Sequence, residues 1–221
     1  MIAADWTALR LSLLLAGAAA ALLLPIAVLL GRWLAITNWR GKPVVEAALL
    51  LPLLLPPTVV GLALLVGMGP GTLVGRAWAA LGGGQLVFSF AGILVASVLV
   101  NLPLAVQPAV QGFRSVGDDL RSAAASCGLS PLRAFWRVEL PLAWPGLATG
   151  AVLAFAHTLG EFGVVLMVGG GIPGETATLS LAIYDRVQAF DLEGAVRLAL
   201  LLASVSLIAV TLLFLLGRKR D

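Results

Sequence analysis

Charged side chains are scarce in this chain: they make up 11% of its 221 residues, against roughly a quarter in a soluble domain. With 60% hydrophobic residues and a mean hydropathy of +1.05, that shortage excludes a soluble globular domain, because most of the surface must face lipid. Cysteine is nearly absent. The single Cys127 excludes an internal disulfide and a cysteine-rich metal site, and it reads as a small apolar residue. A net charge of +3 is too small to suggest a nucleic-acid partner. No catalytic triad, metal cluster or nucleotide motif is present. The triplets Gly82-Gly83-Gly84 and Gly169-Gly170-Gly171 are not followed by the Gly-Lys-Ser/Thr of a phosphate loop and read as outer connectors. The expectation is a chain that is not an enzyme and carries no metal or cofactor.

What is abundant is long apolar runs. A hydrocarbon core of ~30 Å needs about 20 apolar residues per helix, and five segments qualify: about 9–30, 44–66, 88–110, 142–168 and 194–216. The fold class is therefore an all-α polytopic membrane protein in one transmembrane domain, 1–221. Asp5 and the length of the first run favour an uncut span over a signal peptide. With the N-terminus outside, the inner segments hold Arg32, Arg40, Lys42, Arg114, Arg121, Arg133, Arg137, Arg218, Lys219 and Arg220. The outer ones hold Arg10, Arg76, Arg186 and Arg197. Ten against four is the positive-inside asymmetry and puts the C-terminus in the cytoplasm.

One polar island, 122–141, lies on the inner side. It reads Ser122-Ala123-Ala124, three residues, Gly128, nine residues, then Val138-Glu139-Leu140-Pro141. Ser115 and Asp118 read as the start of a helix that runs to about Cys127, with Gly128 past its end, where positive φ costs nothing. Ser130-Pro131 then reads as the cap and first position of a second short helix, with Leu132, Phe135, Trp136 and Leu140 on its apolar face. The expected shape over about 115–141 is helix, sharp turn, helix. A generic connector lying on lipid headgroups is the plainer reading of the same residues.

The spacing of Ala123, Ala124, Gly128, Leu140 and Pro141 resembles the EAA loop of ABC importer permeases, Glu-Ala-Ala-x3-Gly-x9-Ile-x-Leu-Pro, with Ser122 in place of Glu and Val138 in place of Ile. Two further stretches resemble molybdate and sulfate permeases: 51–61, with Pro56-Pro57-Thr58, and 155–163, with His157-Thr158-Leu159-Gly160-Glu161. The stretch Ile172-Pro173-Gly174-Glu175-Thr176 favours the molybdate branch. The resemblance implies a type I importer fold in a bacterial cytoplasmic (inner) membrane. It also implies a loop that couples the chain to a cytoplasmic ATPase dimer, an extracytoplasmic molybdate-binding protein, and a second copy of the chain as partner. Tungstate and sulfate are alternative cargoes, and an ion-gradient carrier is the alternative of a different class.

Within the spans, Pro56-Pro57 interrupts the second, either as a simple kink or as a break where Thr58 and freed backbone groups line a path or gate. Asn101, with Gln107 and Gln111, offers neutral polar groups on the third, as helix–helix contacts or as path lining. His157 and Glu161, four apart, can pair inside the membrane, as a structural pair or as part of a gate. Residues 179–190 are too short and polar to span and read as an outer helix.

Overall fold

The computed structural model describes residues 3–217, and all regular structure among them is helical. In chain order the helices are α1 (Ala3–Ile36), α2 (Lys42–Leu54), α3 (Pro57–Gly67), α4 (Leu73–Ala80), α5 (Phe90–Arg114), α6 (Gly117–Ser126) and α7 (Pro131–Ala134). A π-helical segment (Phe135–Glu139) follows, and then α8 (Leu140–Gly160), α9 (Gly163–Gly169), α10 (Leu179–Gln188) and α11 (Leu192–Gly217). Four helical runs are long and apolar enough to cross a membrane, beginning at Ala4, Phe90, Pro131 and Leu192, and the bent pair α2–α3 makes a fifth.

Three boundaries differ from the sequence expectation. α1 covers 34 residues, about 50 Å of helix, so the expected span 9–30 is only its middle. The second span is two helices meeting at 106°. The fourth begins upstream of residue 142, because α7, the π segment and α8 form one run from Pro131 to Gly160. Pro141 does not end it. The Leu140 N–H reaches back to the Phe135 carbonyl across the wider π turn, which accommodates a proline that has no N–H to offer. The same run stops at Gly160, and α9 follows a two-residue break, so the expected 142–168 is not one straight helix.

α1, α5 and α8 form the core. Apolar helices gain little from burying apolar surface in lipid, so close backbone approach has to hold them. Gly146 and Gly150, one turn apart on α8, lie against Pro108 and Ala105 of α5. A Cβ at Gly150 would come within 2.5 Å of the Ala105 carbonyl oxygen. Gly31 of α1 meets Ala109 equally closely. Around these contacts Leu23, Leu34, Val106, Phe113 and Leu147 are buried. At one end of the bundle Arg114 pairs with Glu46 at 3.2 Å and Arg32 with Glu139 at 2.6 Å.

At the other end Arg186 of α10 bonds Asp5 of α1 at 2.7 Å, and the Leu179 N–H bonds Ser12 Oγ at 2.7 Å. Residues 179–188 thus form a helix anchored to α1. The Gly194 N–H, followed by Arg186, holds the Asp191 carboxyl below the usual aspartate range, and Asp5 followed by Asp191 raises the Arg186 guanidinium. A lowered carboxylate keeps its contribution above the ordinary aspartate range and loses it only as pH falls through the lowered value, so this contact persists in mild acid. Arg32 and Arg114 thus pair at one end of the bundle and Arg186 at the other, while Arg218, Lys219 and Arg220 lie outside the described residues.

Gly150→Val is expected to destabilise the bundle by about 1–3 kcal/mol through overpacking. Gly17→Val, where an added Cβ meets nothing within 4 Å, is expected to change little. Thermal unfolding of the two variants in detergent separates them.

Candidate coupling and translocation site

The polar island folds as a helix and a turn joined to a rod. Ser115 does not cap α6: its Oγ donates to the Gly112 carbonyl at 2.8 Å, closing α5. α6 starts after Val116 with no side-chain cap, and Gly117 takes the reversal with φ +66°. Asp118 and Asp119 still sit in the first turn, where the helix dipole favours acids. The end of α6 matches the expectation. Gly128 has φ +77°, its N–H bonds the Ala125 carbonyl at 2.9 Å, and the Leu129 N–H bonds the Ala124 carbonyl at 3.1 Å. This pair of bonds is the Schellman stop. Ser130 precedes Pro131 at the first helical position, but its side chain accepts no cap bond.

The second helix is not short and separate, as expected, because it continues into α8. Ala123 and Gly128 are exposed, Ala124 is buried, Leu140 packs on the core, and Pro141 is exposed at the start of the membrane run. Of the expected apolar face, Phe135 packs inward while Leu132 and Trp136 are exposed. Cys127, expected as an apolar filler, is exposed at the C-cap of α6.

Glu139 is the residue the sequence reading missed. It is 4% exposed, and its carboxylate accepts Arg32 Nε at 2.6 Å and a second Arg32 nitrogen at 3.1 Å. The Arg32 guanidinium also lies 5.4 Å from the Phe135 ring centre. The signal was one acid inside an apolar stretch and one arginine near the end of an apolar run. Their separation of 107 residues hides the pairing from any local pattern.

The two interrupted spans meet. At the first break Pro56 is extended, with ψ 135°, and α3 restarts at Pro57. At the second, Glu161 is extended, with ψ 124°, and α9 restarts at Gly163. Gly163 is packed on Pro57, and Gly61 of α3 is packed on Met167 of α9, both too closely for an added Cβ. Thr58 is exposed on this chain.

Glu161 accepts the Val164 N–H at 3.3 Å, and its carbonyl accepts Ser180 Oγ at 2.7 Å. It also stands 3.6 Å from His157 Nδ1, an ion-pair distance too long for a hydrogen bond. His157 and Glu161 thus lie side by side without a hydrogen bond between them, and the Glu161 carboxylate meets the start of α9.

Asn101 lies elsewhere. Fully buried, it donates to the Ser97 carbonyl at 2.8 Å and to Thr158 Oγ1 at 3.1 Å, joining α5 to α8. That is the helix-contact role of the two considered. Thr176, within the 172–176 motif, donates to the Gly169 carbonyl at 2.6 Å and accepts the Ile172 N–H at 2.8 Å. The motif therefore fixes the loop after α9. No group of three or more metal-ligating side chains exists among the described residues.

Comparison with known proteins agrees with this architecture. Residues 10–221 match the family described as binding-protein-dependent transport system inner membrane component. The chain is similar to the molybdenum transport system permease protein ModB of Azotobacter vinelandii, 46% identical over 187 residues, covering 85% of this chain and 83% of that one. It is also similar to ModB of Escherichia coli K12, 36% identical over 220 residues, covering 98% and 96%. The crystal structure of a bacterial ABC transporter that imports the acidic polysaccharide alginate shares the fold, with a TM-score of 0.79 at 19% identity over 100% of this chain and 81% of that one. These relatives are transport components, not enzymes. The chain belongs to the binding-protein-dependent inner membrane components and has the permease fold of ABC importers.

Proposed function

We propose that the chain is the membrane-spanning permease of an ATP-driven importer of molybdate, multi-pass in a bacterial cytoplasmic membrane with its N-terminus outside and C-terminus inside. The cargo follows from the resemblance of residues 172–176 and from the two ModB relatives. The observation that carries the mechanism is the continuity of the rod from Pro131 to Gly160. The exposed α6 and its Gly128 turn stand at one end of it, and the Glu161 break stands at the other.

An ATPase dimer docked on Ala123, Gly128 and their neighbours moves α6 and the foot of the rod as its nucleotide sites close. About 45 Å of helix carries that movement to the break. There α9 is packed on α3, and the interrupted backbone lines the path. Pro56, Pro57 and Thr58 are the gate residues of this reading, and Asn101 keeps α5 and α8 moving together.

Glu161 accepts the Val164 N–H, and a carboxylate repels a dianion, so it shapes the gate and does not bind cargo. Neutral dipoles along the path pass a tetrahedral dianion without trapping it. Selection then falls to the extracytoplasmic binding protein. A second copy of the chain completes the pathway. α2 has no buried residue, and Val59, Leu62 and Val66 of α3 are exposed, which leaves a face for that copy.

The test is uptake into proteoliposomes holding the chain, its ATPase and its binding protein. ATP-dependent accumulation of labelled molybdate, unaffected by excess sulfate, is expected. Sulfate uptake without molybdate uptake would overturn the cargo. Gly128→Pro forces φ near −65° where the chain needs +77°. Its uptake is expected to fall at least about tenfold in complex that still assembles, with the local loss of the turn lowering stability as well, and wild-type uptake in that variant would refute the coupling role of the turn.

A further inference from the structure

The charged cluster beneath the bundle contains one buried carboxylate and two guanidinium groups from different helices. Arg32, on α1, holds Glu139 at two points. Arg121, on α6, stands with its Nε 3.9 Å from Glu139 Oε1. That is within reach of the charge but about 1 Å beyond a charge-assisted hydrogen bond. This Nε is buried and has no hydrogen-bond partner. The other Arg121 nitrogens donate to the Phe113 carbonyl at 2.8 Å and to Asp118 at 3.0 Å. Asp118 is 97% exposed, so solvent screens that bond and makes it easy to give up. Glu139, by contrast, cannot be left unpaired where it lies, because removing the partner of a buried charge costs several kcal/mol.

We propose that Glu139 is a positioning residue that passes the movement of α6 to α1 by exchanging its hydrogen bonds between Arg32 and Arg121. The proposal rests on the reading of α6 as the ATPase contact. As α6 advances by about 1 Å, the Arg121 Nε reaches bonding distance of Glu139 Oε1, and the Arg32 bonds to the same carboxylate give way to it. Glu139 is well paired at either end of the exchange and less well paired between them, so the exchange has two favourable ends and a poor middle, which is the property of a switch. Release of Arg32 frees the inner end of α1, which packs against both α5 and α8. The coupling helix thereby acts on two spans, through the rod and through this exchange.

The experiment uses the whole complex in proteoliposomes and measures two rates together, ATP hydrolysis and molybdate uptake. Arg121→Gln keeps a hydrogen-bonding side chain and removes the charge. It is expected to hydrolyse ATP at a rate close to wild type while the ions moved per ATP fall by about fivefold or more. Arg121→Lys is expected to recover part of the ratio, and Glu139→Gln to lower it as Arg121→Gln does. A merely structural role would lower the yield of assembled complex and its unfolding midpoint and leave the ratio unchanged in whatever assembles. An unchanged ratio in Arg121→Gln overturns the exchange. Sulfate transport by the wild type overturns the cargo reading alone, and the ratio is then read with sulfate. Absence of any ATP-driven transport by the wild type overturns the importer reading and the exchange with it.

Discussion

Backbone contact between α5 and α8 is the constraint on which the remaining structure depends. In lipid an apolar side chain gains little by leaving its tails for another helix, so association relies on packing. Gly146 and Gly150 let α8 lie directly on the carbonyls of α5, and the Asn101–Thr158 bond ties the same two helices one turn or more farther along. α1 then closes over this pair through Gly31. A rigid pair of helices is what allows the two broken spans to exist, because unpaired backbone at membrane depth needs protein to satisfy or shield it.

The breaks illustrate how different chemistry reaches the same end. Pro56 stops α2 by geometry, since the residue before a proline is driven out of the helical region and Leu55 is extended. The α8–α9 break has no proline. There Glu161 itself is extended, and its side chain accepts the N–H that α9 leaves free at its start. A carboxylate used this way is satisfied locally, which explains how an acid sits 7% exposed in an apolar region. The restarts of α3 and α9 lie against each other at Pro57 and Gly163.

Apolar runs made the long helices legible, while their ends, and the short helix α4, were not. Gly128 was readable because its demand is local: a left-handed residue after a run of helix formers. Ser115 was misread because the same serine chemistry can close the preceding helix, and only tertiary placement decides between the two ends. The second half of the island was expected as a separate short helix beginning at Pro131, and a π turn that joins it to the next span is invisible to a pattern of period 3.6. Glu139 could not be found from sequence because its partner, Arg32, is 107 residues away. Asn101 was visible as polar, but its two possible uses differ only in what faces it.

The π segment before Pro141 holds one residue more per turn than the helix on either side of it. An added residue turns everything upstream by about 100° relative to everything downstream. The segment is thus a phase adjuster, setting which side of α7 faces away from the bundle while the face of α8 remains fixed against α5. Exchanging the island for that of another permease would demand this phase as well as sequence similarity. A graft that matched every contact residue but omitted the wide turn would point Arg133 of α7 at the wrong surface.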